Sequence, residues 1–106
     1  MSLPVDSRWD LIRQGAPDHT IVVTESAPPN FKAKFGEPVP GAKDPNVFTG
    51  EVRTRQHTVL SLREHSDEVN YTAFHLGAKG ERDEYAGFYC DVANGVSGTF
   101  RLVRRP

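Results

Sequence analysis

The chain has 106 residues, 37% hydrophobic and 25% charged, with 13 basic against 14 acidic residues and a formal net charge of −1. One domain of that length (residues 1–106) buries a core without help from disulfides or metal. The charge balance argues against bulk electrostatic binding to nucleic acid or an acidic membrane, and a single cysteine, Cys90, excludes an internal disulfide and fits a reducing compartment.

Taken in chain order, the sequence reads as strands and almost no helix, because no window repeats apolar residues at helical spacing for three turns. "RWDLIR" (Arg8 to Arg13) is the first alternating segment. "HTIVVTES" (His19 to Ser26) is β-branched and follows a Gly-Ala-Pro-Asp turn, and "FKAKF" (Phe31 to Phe35) alternates without a fault. Gly36 to Asn46 holds three prolines and two glycines and reads as the longest loop. "VFTGEVRTR" (Val47 to Arg55) and "TVLSLREH" (Thr58 to His65) follow. A polar "SDE" turn leads to "VNYTAFHL" (Val69 to Leu76). The chain then runs through "GAKGERDE" into a last hairpin from Glu84 to Arg104, turning at Asn94-Gly95.

About eight short strands joined by turns predict an all-β fold. Hairpin connectivity favours an antiparallel up-and-down barrel, whose closure protects the edges. A β-sandwich is the alternative.

Alternation divides the second half into two faces. One collects Phe48, Gly50, Val52, Leu60, Leu62, Thr72, Phe74, Leu76, Ala86, Phe88, Cys90, Val92, Phe100 and Leu102, and is expected to be the core, with Cys90 as a small buried hydrophobe. The other carries Tyr71, His75, Tyr85, Tyr89, Asp91 and Arg101 among polar neighbours. Tyr and Arg are enriched at contact surfaces. This second face therefore reads as ordinary cross-strand pairing, as a subunit interface, or as a surface for a ligand or nucleic acid.

Trp9 sits on the first strand, and Arg101, Arg104 and Arg105 lie on or just after the last. That layout resembles the lipocalin-like (calycin) barrels, where a first-strand Trp packs near a basic residue of the last strand. "WDLIRQGAPDHTIVVTES" and "FTGEVRTR" look like the avidin branch. Ser7 stands where that branch has a glycine two residues before the Trp. The resemblance implies a barrel that encloses a small cavity or fills itself, and pairing through outer faces; it implies nothing about biotin.

Catalytic and metal motifs are scarce. His19, His57, His65 and His75 do not form a His-x-His pattern. "EHSDE" (Glu64 to Glu68) is a weak cation cluster that reads better as a solvated turn. "NGVSG" lacks nucleophile-elbow spacing and "GAKGE" is not a phosphate loop. No cofactor is expected. His75 and Asp91, with Tyr89, form one acid–base candidate on a shared face.

The expectation is a non-catalytic binding or assembly module, with Trp9, Tyr71, His75, Tyr89, Asp91 and Arg101 at its ligand site or interface. It is expected to be a homo-oligomer in the cytoplasm, with a small apolar ligand near Trp9. No membrane partner is expected: no apolar run reaches the ~20 residues of a spanning helix and the N-terminus has no signal peptide. The alternatives are a small enzyme using His75 and Asp91, and an oligonucleotide-binding barrel.

Overall fold

The computed structural model describes residues 3–37, 47–66 and 70–106. Eight strands run through them: β1 (Arg8–Arg13), β2 (His19–Ala27), β3 (Asn30–Phe35), β4 (Phe48–Thr54), β5 (Thr58–His65), β6 (Tyr71–Lys79), β7 (Glu84–Asp91) and β8 (Val96–Arg104). Each pairs antiparallel with the next, and β1 pairs with β8, so the sheet closes as an up-and-down barrel rather than a sandwich. Among the described residues every strand has a paired neighbour on both sides, so no whole strand edge is left for another chain to extend. Among the described residues no helix is long and apolar enough to cross a membrane.

Side chains fill the barrel. Leu11, Ile21, Val23, Phe48, Val52, Leu60, Leu62 and Leu102 are fully buried. Glycines make room for the largest rings: a Cβ at Gly50 would stand 2.3 Å from Phe31 Cζ, and one at Gly77 would stand 2.8 Å from Phe100 Cζ. At one end the N-terminal segment folds across Trp9. Trp9 Nε1 donates to Ser7 Oγ at 2.8 Å, and Ser7 Oγ donates to the Pro4 carbonyl at 2.5 Å. The Trp9 ring lies 6.0 Å from Tyr85, and both are buried.

The expected faces hold for β4, β5 and β8 and are inverted for β6 and β7. Ala73, His75, Tyr85 and Tyr89 are buried, whereas Phe74, Leu76 and Phe88 are 42%, 61% and 72% exposed. Cys90 and Ala86 are exposed as well, and Val92 is exposed in the turn after β7. The register gives the physical reason. Leu62 and Leu60 point inward and lie directly opposite His75 and Gly77, and residues opposite one another share a face. A bulge between Glu64 and His65 shifts the pairing, so counting back from the turn gives the wrong parity. The interior at this level already holds Phe31, Phe48 and Phe100, leaving space for small residues and two hydrogen-bonded rings rather than for three more bulky apolar chains. The expected long loop, apart from Gly36 and Glu37, lies outside the described residues, as do Asp67 and Glu68 of "EHSDE".

Candidate functional site

The six candidate residues do not share a face. Trp9 is packed inside at one end of the barrel. His75 and Tyr89 point inward toward the other end, with ring centroids 5.8 Å apart and nearly parallel planes. Asp91 ends β7, where its carboxylate accepts from the Asn94 backbone N–H at 3.0 Å and from Asn94 Nδ2 at 2.9 Å. Those two bonds hold its pKa below the usual carboxylate value, the side-chain bond most strongly. Tyr71 lies outside, its ring 4.5 Å from His65 and 5.4 Å from Phe74. Arg101 is on the outside too, and its Nη2 donates to Glu84 at 3.0 Å. Trp9 and Arg104 are partners in the β1–β8 ladder, but the Arg104 guanidinium turns to Asp83 rather than to the indole.

Inside the barrel, the alternation of β1, β5, β6 and β7 gathers a polar group that pattern reading did not find. Arg13 is buried, and its Nη1 lies 2.9 Å from Glu64 Oε1, which links β1 to β5 across the lumen. The guanidinium carbon of Arg13 lies 5.8 Å from the Tyr89 ring centroid, and Tyr89 Oη donates to the Gln14 carbonyl. His75 Nδ1 lies 3.1 Å from the Leu62 carbonyl, which makes it the protonated nitrogen. Burial is the main reason the His75 pKa falls to about 4, and the nearby Arg13 charge adds to it. His75 is therefore neutral at pH 7. Its Nε2 is buried and has no hydrogen-bond partner, and Asp91 is committed to the Asn94 turn. The geometry of an Asp-oriented catalytic imidazole is not formed.

The outer face of β5 to β7 has a different character. Glu51, Ser61, Arg63, Phe74, Leu76, Phe88 and Cys90 border a shallow open groove of about 620 Å³. Cross-strand pairing builds its centre: Ser61 lies opposite Leu76, and Leu76 opposite Phe88. Charged residues stand beside it. Glu51 accepts from Arg53 Nε at 2.8 Å and lies 3.8 Å from Arg63 Nη2. The Arg53 hydrogen bond, with its charge, holds the Glu51 pKa below the ordinary carboxylate value. Phe74, Leu76, Phe88 and Cys90 were all expected in the core, so this surface was missed from sequence. The signal that locates it is the register against Leu60 and Leu62, not the apolar count of each strand. Among the described residues no group of three His, Cys, Asp or Glu side chains is placed to hold a metal ion. No protein-family model, curated protein or solved structure matches the chain.

Proposed function

We propose that the protein is a non-catalytic contact module, a calycin-like barrel that works through the outer face of β5 to β7. The observation that carries this reading is the exposure of Phe88 and Leu76, 72% and 61%, side by side at the centre of one groove. Lone exposed apolar residues need no explanation, but contiguous ones in a soluble setting mark contact sites. A large aromatic at the centre with arginines beside it is the composition of an interface. A ligand beside Trp9 has less support, because Trp9 is packed against Tyr85 and held by Ser7. The acid–base reading has less support for the reason already given: His75 is enclosed and Asp91 bonds elsewhere.

The test is native mass spectrometry on gently purified wild type and on Phe88→Asp, with melting curves for both. The reading expects wild type to carry a non-covalent occupant, either another copy or a smaller molecule, that Phe88→Asp releases, with the variant melting cooperatively and no lower than empty wild type. Empty monomers in both samples would overturn it.

A further inference from the structure

Resting on the contact-module reading, we infer that the occupant of this face is a second copy of the same chain, packed face to face about a two-fold axis that crosses the strands. Two adjacent cross-strand rows carry the inference. The first runs Glu51, Ser61, Leu76, Phe88, and the second runs Arg53, Val59, Ala78, Ala86. The first is bulky at β6 and β7 where the second is small. The first is acidic at β4 where the second is basic.

A two-fold axis lying in the interface, midway between the rows, sets each row over the other row of the second copy. Phe88 and Leu76 then sit over Ala86 and Ala78 of the second copy. Glu51 sits over Arg53 of the second copy, and Arg53 over its Glu51. Each relation occurs twice, which is what an isologous contact requires. The face thus matches itself in both shape and charge. A polyanion would meet Glu51, and a polycation would meet Arg53 and Arg63. Among the described residues the strand order is closed, so no whole strand edge competes as the docking element.

Strand spacing of ~4.8 Å and a rise of ~3.4 Å per residue give the two rows across β4 to β7 a projected area of roughly 260 Å². A standard contact needs roughly 800 Å² per partner, about an eighth of the 6703 Å² surface, so the charged residues beside these rows must take part.

The experiment is sedimentation velocity on the purified chain at loadings from about 1 to about 100 µM, a span suited to a small contact. Wild type, Phe88→Asp, Glu51→Arg, Arg53→Glu and an equimolar mixture of the last two are compared, each checked for its fold by circular dichroism. Wild type is expected to dimerise, with Phe88→Asp at least about tenfold weaker. Glu51→Arg alone sets four arginines together, and Arg53→Glu alone sets four glutamates together, so each is expected to self-associate less than wild type. Their mixture restores both opposite-charge relations and is expected to form a heterodimer. A wild type that stays monomeric at every loading overturns the inference. If Phe88→Asp nevertheless releases a bound molecule in the native spectra, the contact-module reading stands with a different occupant. A wild-type dimer whose charge-reversed variants do not pair with each other also overturns the inference, since the copies then meet elsewhere.

Discussion

His75 shows at the scale of one residue how position overrides residue type. On a solvent face it would be a titrating imidazole near pH 6.5. Enclosed between Tyr89 and Phe100, with Nδ1 at the Leu62 carbonyl, it has a pKa of about 4. The consequence for stability has a definite sign. The folded pKa lies below the unfolded one, so the unfolded chain binds a proton more readily as pH falls from 6.5 toward 4. The folded state is most favoured above that window and loses stability through it. The loss attributable to His75 is on the order of 3 kcal/mol by pH 4. Thermal melts at pH 7.5 and pH 4.5 check this in wild type and in His75→Met. The variant is expected to be less stable at pH 7.5, where the bond to Leu62 is gone, and to show a smaller drop between the two pH values. An equal drop would assign the acid sensitivity to other groups.

At the scale of elements, the interior polar group ties strands that do not pair with each other. Arg13 and Glu64 belong to strands on opposite sides of the closed order, β1 and β5. Removing one partner from a buried pair costs ~3–5 kcal/mol, because the other charge is left in a poor dielectric. Glu64 keeps 21% of its side-chain surface exposed, so Glu64→Gln should fall near 2 kcal/mol and Arg13→Met, which leaves a better hydrated carboxylate, no higher. Urea unfolding of both variants and of the double variant checks this. The double is expected to lose less than the two single losses added together. The β6–β7 ladder makes a second demand. A Cβ at Gly87 would stand 2.0 Å from the Leu76 carbonyl oxygen and 2.6 Å from Gly77 Cα. Both are backbone atoms with no rotamer to move, so Gly87→Ala should cost ~3 kcal/mol, the upper end for overpacking, or leave little folded protein. A melting temperature within a degree or two of wild type would refute that. These same two strands mark the limit of what the sequence conveys. Most strand positions were legible, since β-branched alternation and the turn residues place Arg8–Arg13 and Thr58–His65 without error, but β6 runs on through Gly77, Ala78 and Lys79, which the glycines had marked as the start of a loop. The closed antiparallel order was legible from short connections. The faces of β4, β5 and β8 were legible because apolar residues lie inside there. On β6 and β7 that premise fails: the inside takes Ala73, His75, Gly77, Tyr85, Gly87 and Tyr89, and the outside takes Phe74, Leu76, Phe88 and Cys90. Parity alone cannot say which of two half-apolar faces is inside. Long-range register does, and a bulge at Glu64 hides it from a local count.

The whole molecule combines a filled, closed barrel with one outer face that is more apolar than its surroundings. Phe31, Phe48 and Phe100 leave β6 and β7 an interior suited to small and hydrogen-bonded side chains, and their bulky residues point outward as a result. The surface that this creates couples fold stability to concentration if it binds a second copy. A dimer that unfolds to two separate chains gains ~1.4 kcal/mol, or ~0.7 kcal/mol per chain, for each tenfold rise in total protein. For a domain of about this size that shifts the melting temperature by roughly 3–5 °C per tenfold step. Scanning calorimetry on wild type over two decades of concentration should show that climb. Phe88→Asp should melt at one temperature throughout, close to the wild-type value at the lowest concentration, because Phe88 supports contact between chains and not the core of its own barrel. A concentration-dependent melt in Phe88→Asp as steep as in wild type would place the association on another surface. A flat melt in wild type would show that the barrel unfolds as a single chain, with any pairing seen in sedimentation lost below the melting temperature.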